Sequence, residues 1–323
     1  MSIEIVGPQD TERAAEVLRA GGLVGLPTET VYGLAANAAS PEAVARIYQV
    51  KGRPNDHPVI VHLAKSELIQ EWAINIPEYA WKLAERFWPG PMTLILPKAD
   101  HVGIFLTGGQ DTVGLRVPGH PVARAILEAA GLGVAAPSAN QFGSVSPTSA
   151  MHVLADIGNR LDGARDVIVD GGECEVGIES TIIDCTGIAP RILRPGFISQ
   201  ADIEEITITS VNVAPETIKA PGLLESHYAP HAKVLLAHDY EELEVLCAEP
   251  CDTRVGVIAS EKIPTPRGAI RLAMPATSAE YAQNLYAALR TADELGLAKV
   301  VALLPTGDDV AVGIRDRLTR AAH

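Results

Sequence analysis

The segment from Gly25 to Leu63, GLPTETVYGLAANAASPEAVARIYQVKGRPNDHPVIVHL, constrains the fold of this chain more than any other stretch. Leu23-Val24-Gly25-Leu26 reads as a buried strand stopped at Pro27, whose ring fixes φ and removes a backbone donor. Thr28, Glu29, Thr30 and Tyr32 follow as a run of hydrogen-bonding side chains that Gly33 ends. Ser40 as N-cap, Pro41 at the first helical position and Glu42 in the first turn predict a helix, with Val44, Ile47, Tyr48 and Val50 on its apolar stripe. The helix runs into Lys51-Gly52-Arg53-Pro54, and Val59-Ile60-Val61 reads as the next buried strand. One polar turn and one basic turn thus sit at element ends, where functional side chains concentrate. Lys51 would complement the negative end of its helix, but that leaves Arg53 unexplained. A point charge and a planar fork held between Gly and Pro suit an anion.

The chain has 323 residues and is 47% hydrophobic, enough for a large core and for two domains rather than one. Its 40 acidic and 26 basic residues leave a net charge of −14, which disfavours a broad nucleic-acid-binding surface and sends any nucleotide to a local basic pocket. The N-terminus lacks the basic lead and apolar run of a signal peptide, and no segment approaches membrane-spanning length, so a cytoplasmic protein is expected. Cys174, Cys185, Cys247 and Cys251 show no paired CxxC spacing and read as free thiols.

Further basic residues stand at element ends. Gly114-Leu115-Arg116-Val117-Pro118 is a short strand with one charge inside, which requires either snorkelling or an anionic partner. Gly133 to Asn140 is a small-residue strand entering a polar loop, with Ser138 and Asn140 expected to face one side and Ser146 further along. Thr148 is the expected N-cap of a helix from Ser149 to Leu154. Arg194 ends the strand Arg191 to Arg194 before Pro195-Gly196. Lys51, Arg53, Arg116 and Arg194 together suggest a focused anion site. No GxxxxGK[ST], GxGxxG, HExxH or paired CxxC is present, so no P-loop, dinucleotide fingerprint or protein-held metal is expected, and any Mg2+ arrives on nucleotide phosphates.

Residues 1–206 read as a catalytic domain, 207–232 as a linker and 233–323 as a second domain. Alternating strand and helix patterns from Lys233 onward predict a small parallel sheet, with a long helix capped by Thr277 or Ser278. No catalytic constellation is visible in the second domain. Tyr228 is the linker's aromatic: it either seals the domain interface or lies over a ligand as part of a lid.

Taken in order, PTETVYGL, KGRP, WPGPMTLIL, DTVGLRVPGHP, APSAN, SPT, DGG, GIESTI, LRPG and HYAP closely resemble the YrdC/Sua5 family, in its two-domain Sua5 form. The resemblance implies an α/β protein: a YrdC-like twisted, open mixed sheet with helices, followed by a smaller Rossmann-like parallel domain. It implies a nucleotidyltransferase that makes threonylcarbamoyl-AMP and pyrophosphate from L-threonine, bicarbonate and ATP, for tRNA modification at position 37. The product would pass to downstream tRNA threonylcarbamoyl-transfer enzymes. By motif match, Thr30, His62, Arg116, Ala136 and Ser180 would contact threonine. Lys51, Arg53, His57, Thr112, Ser138, Asn140, Ser146, Arg194 and Tyr228 would contact ATP, with Lys51 and Arg53 assisting catalysis. His57 stands where some relatives carry Asn.

Three rivals differ in class. A carbamoyl-adenylate enzyme of hydrogenase maturation would need acylphosphatase-like and zinc-finger segments that are missing here. An RNA-binding module conflicts with the −14 charge, and a purely structural protein leaves the four basic residues without a purpose.

Overall fold

The structure is a computed structural model that describes residues 2–208, 211, 220–221, 228–248 and 254–323. Among these, the first domain builds one mixed sheet from β1 (Glu4–Val6), β2 (Val24–Leu26), β3 (Gly33–Asn37), β4 (Ile60–His62), β5 (Met92–Pro97), β6 (Thr112–Arg116), β7 (Val134–Ala135), β8 (Val167–Val169), β9 (Thr181–Asp184) and β10 (Arg191–Arg194). Their spatial order is β1-β8-β2-β3-β7-β4-β6-β5-β9-β10. β4 and β6 run parallel with His62 opposite Arg116, and β7 returns antiparallel to β4. That pairing gathers several strand ends at one edge, the usual place for a ligand crevice in an open α/β sheet.

The helix Pro41–Lys51 forms as its sequence signals dictate. The Ser40 hydroxyl accepts from Ala43 N at 3.1 Å, and Gly52 closes the last turn in the left-handed region at φ 65°. Val44, Ile47, Tyr48 and Val50 are buried in the main core with Leu34, Val61, Leu94 and Leu115.

The second domain is a parallel sheet in the order β11-β14-β12-β13, made of β11 (Lys233–Ala237), β12 (Val255–Ile258), β13 (Ile270–Ala273) and β14 (Lys299–Leu303). The two domains share one apolar cluster. Val31, Val145 and Ile178 from the first pack with Leu285, Tyr286 and Ile314 from the second, and Tyr228 lies among them. Gly177, at φ 78°, permits this approach, since a Cβ there would sit 2.4 Å from Gln283 Cα.

Several details differ from the sequence reading. The N-cap expected at Thr148 is Ser149, which accepts from His152 N at 3.3 Å because the helix begins one residue later, at Ala150. β3, with its small-residue sequence GLAAN, and β13, an edge strand with all four positions half-buried, carry weak strand signals and were not anticipated. The helix Gln200–Thr207 runs one residue past the expected boundary at 206. Most of the proposed lid, 209–210, 212–219 and 222–227, lies outside the described residues, as does Cys251. Cys174 and Cys185 are buried free thiols and Cys247 is half-buried.

Candidate functional site

A cleft opens where β4, β6 and β10 end and β9 begins. Thr30, His62, Arg116, Ala136 and Ser180 all line it, so the five residues assigned to threonine by motif come together. Arg53, Ser138, Arg194 and Tyr228 line the same cleft.

Arg116 is 4% exposed, and the anion that its buried position demanded is internal. Its Nη2 donates to Glu29 Oε1 at 2.6 Å, Nη1 to Thr30 Oγ1 at 2.9 Å and Nε to Gly90 O at 3.2 Å. A guanidinium carries five N–H groups, so two remain for a ligand carboxylate. Burial would raise the Glu29 carboxyl, but the charge and hydrogen bond of Arg116 outweigh it and hold it below the usual carboxylate range. His62, opposite Arg116 in the ladder, is 3% exposed. Burial, then the Arg116 charge, lowers its pKa to about 3, so it is a neutral ring, and its Nδ1 has no protein partner.

The two basic residues of the KGRP turn separate in role. Lys51 does not line the cleft. Its Nζ donates to Ser138 O at 2.5 Å, Asn140 O at 2.6 Å and Asn140 Oδ1 at 3.4 Å, so its three donors tie the polar loop to the helix end. Burial, then Arg53, drives its pKa well down. Direct phosphate contact by Lys51 in this arrangement would require giving up those bonds. Arg53 does line the cleft, donating Nη2 to Pro58 O at 2.8 Å while its buried Nε lacks a protein partner. Its guanidinium lies 5.8 Å from the centre of the Phe142 ring, against which the His57 ring sits edge-on at 5.4 Å.

Asn140 and Ser138 do not face one side together, as alternation along an extended strand predicted. The loop turns after Ser138, and Asn140 Nδ2 donates to Ser144 O at 2.6 Å instead of entering the cleft. Thr112 begins β6, whose other end carries Arg116; at about 3.3 Å per residue the two are roughly 13 Å apart, so Thr112 meets only a ligand that extends along the strand. Ser146 donates to Glu179 Oε1 at 2.6 Å and does not line the cleft.

Arg194 donates Nε and Nη2 to Ser180 O, at 3.2 and 2.9 Å, and Nη1 to Pro221 O at 2.9 Å. The linker residue Pro221 therefore closes on the cleft beside Tyr228. Tyr228 packs at the domain interface, stacking on Tyr286 of the second domain at 5.7 Å, and also lines the cleft. Glu29 and Glu179 were missed as site residues. Each is the one charged residue of its motif, PTETVYGL or GIESTI, a signal that a cation lies opposite if the motif is buried.

The cleft does not suit a resident cation. Among the described residues its one lining carboxylate, Glu179, has both oxygens committed to protein donors, and three guanidinium groups surround the space.

Residues 16–196 match the Sua5/YciO/YrdC family model, described as telomere recombination, and residues 198–323 match the model for the threonylcarbamoyl-AMP synthase C-terminal domain. The chain is 40% identical to threonylcarbamoyl-AMP synthase from Pyrococcus abyssi, covering 96% of this chain and 93% of the relative. It is 39% identical to that from Bacillus subtilis, over 96% and 92%. The crystal structure of P. abyssi Sua5 complexed with L-threonine superposes with a TM-score of 0.91 at 39% identity, covering all of this chain and 98% of that one. The chain belongs to the Sua5/YrdC family of threonylcarbamoyl-AMP synthases, in its two-domain form.

Proposed function

We propose that this cleft joins L-threonine, bicarbonate and magnesium-bound ATP into threonylcarbamoyl-AMP and pyrophosphate, in the cytoplasm, for enzymes that transfer the threonylcarbamoyl group to adenosine 37 of tRNA. The observation that carries the reading is a pair of buried, unpartnered polar atoms, Arg53 Nε and His62 Nδ1, on residues lining one cleft with Arg116 and Arg194. Buried polar atoms without partners are costly, and a polar ligand removes that cost.

Arg116 uses its two remaining N–H groups for the threonine carboxylate, and neutral His62 and Thr30 border the amino acid. The neutral threonine amine bonds to the bicarbonate carbon with loss of one water, giving a carbamate, and a carbamate oxygen attacks the α-phosphorus as pyrophosphate departs. Arg53 and Arg194 stabilise the charge that develops on the phosphates, which is the main help such a transition state needs. Lys51 acts one step back by fixing the loop that carries Ser138. Catalysis then rests on positioning and electrostatics, with Pro221 and Tyr228 covering a mixed anhydride that water would destroy.

The test is pyrophosphate release measured with each substrate withheld in turn. Release should require L-threonine, bicarbonate and ATP together. ATP cleavage at the same rate without threonine would refute the assignment.

A further inference from the structure

Glu179 ties the cleft to the second domain. It is 6% exposed, and its Oε1 accepts from Ser146 of its own domain at 2.6 Å. Its Oε2 accepts from two side chains of the second domain, Tyr286 Oη at 2.8 Å and Arg317 Nε at 2.7 Å. Arg317 is fully buried, with its guanidinium 5.3 Å from the centre of the Tyr228 ring, and Tyr286 stacks on that same ring with the centroids 5.7 Å apart. Asp316 neutralises the far side of Arg317 through Nη1 at 2.5 Å.

The apolar cluster between the domains already supplies ordinary docking energy. A buried ion pair is a poor addition for stability alone, because desolvating two charges offsets most of their attraction. Here the pair reaches a cleft-lining carboxylate, next in sequence to Ser180, whose carbonyl orients Arg194. We propose that Arg317 and Tyr286 are positioning residues for the reaction: from the second domain they fix Glu179 and seat Tyr228, so the cleft is complete only when that domain is docked. This inference rests on the reaction proposed above.

Removing the guanidinium fork should let Glu179 and Tyr228 move while leaving Arg116 and its Glu29 partner untouched. Turnover should therefore suffer more than threonine binding. The groups facing Glu179 are Arg194, Arg317, Tyr228 and Tyr286, with Asp316 behind Arg317. With Arg317 weakened, protonation of Glu179 should enter the pH–rate profile.

The experiment uses the full chain with Arg317→Lys, Tyr286→Phe and the neutral pair Glu179→Gln with Arg317→Met. Threonine-dependent pyrophosphate release is measured across pH, with the active fraction determined by burst titration. Arg317→Lys should lower kcat about tenfold, with the threonine KM changed less than about twofold, and should add an acidic limb above pH 5 that the neutral pair lacks. Tyr286→Phe, which removes one hydroxyl, should lower kcat about threefold and serves if Arg317→Lys does not fold. Unchanged kcat per active site and an unchanged pH profile in the folded variants, with active wild type, would overturn this inference alone. Absence of threonine-dependent release from the wild type would overturn the reaction assignment and this inference with it.

Discussion

At Arg116 a single residue joins stability to the carboxylate recognition proposed for it. Three of its N–H groups are spent on Glu29, Thr30 and Gly90, and that fixed frame aims the other two. Arg116→Lys keeps the charge but cannot hold the frame and a carboxylate together. A charged hydrogen bond is worth about 1.5–3 kcal/mol, so the threonine KM should rise about tenfold or more while the ATP KM stays near wild type. Equal loss of both would make Arg116 structural. Glu29→Gln should act differently, by leaving a buried guanidinium without its counter-charge. Breaking such a pair costs on the order of 3–5 kcal/mol, so the expected result is a clear fall in Tm, and a Tm equal to wild type would show the pair to be unimportant. The need for an anion beside Arg116 was legible in GLRVP, because apolar strands do not hold lone charges. Its identity was not, because Glu29 lies 87 residues away in the chain and only the sheet order brings it near.

Helix ends and loops show the same division between what sequence carries and what packing decides. The cap at Ser40, the proline at the first turn and the glycine at the end are local, and the helix Pro41–Lys51 follows them closely. The direction of Lys51 is not local. Its Nζ meets carbonyls of a loop 87 and 89 residues further on, a contact that nothing in the rigid basic turn itself foretells. Strands β3 and β13 were missed for a related reason: their sequences gain strand character from neighbours on both sides or from an edge position, not from their own composition. Lys51→Met keeps most of the buried stem and removes the clamp. The amides of residues 137–144 should then exchange faster and the ATP KM should rise severalfold, with the threonine KM little altered. Unchanged exchange in that loop would mean that Asn140, through Ser144 O, is enough to hold it.

The way the two domains are joined could not be read from the chain, because the buried face of the helix Ser278–Glu294 has the same pattern whether it covers its own sheet or a neighbouring domain. Within the first domain and at its junction with the second, several titratable groups are buried where protons cannot follow, which makes acid the expected weakness of the whole molecule. His62 falls to about 3 and His152 to about 4, both through burial first and then a neighbouring arginine. Glu179, which burial alone would raise, is held at about 2 by Arg317 and Arg194 together with its hydrogen bonds. In each case the folded pKa lies below the unfolded one, so the unfolded chain binds more protons as the pH falls. Stability is therefore full above about pH 6.5 and declines below it, first through the histidines and then, below about pH 4.5, through Glu179. For His62, nearly fully buried, the slope is about 1.4 kcal/mol per pH unit, or roughly 2 kcal/mol between pH 6.5 and 5. That corresponds to a fall in Tm of several degrees, at roughly 2–4 °C per kcal/mol for a domain of this size. His62→Gln should flatten the pH 5–6.5 part of the curve and leave the steeper loss below pH 4.5 in place. A wild-type Tm that is level from pH 7 to 5, or a variant curve parallel to it, would mean that His62 takes up a proton in the folded protein, and the neutral ring assigned to the threonine end of the cleft would have to be abandoned.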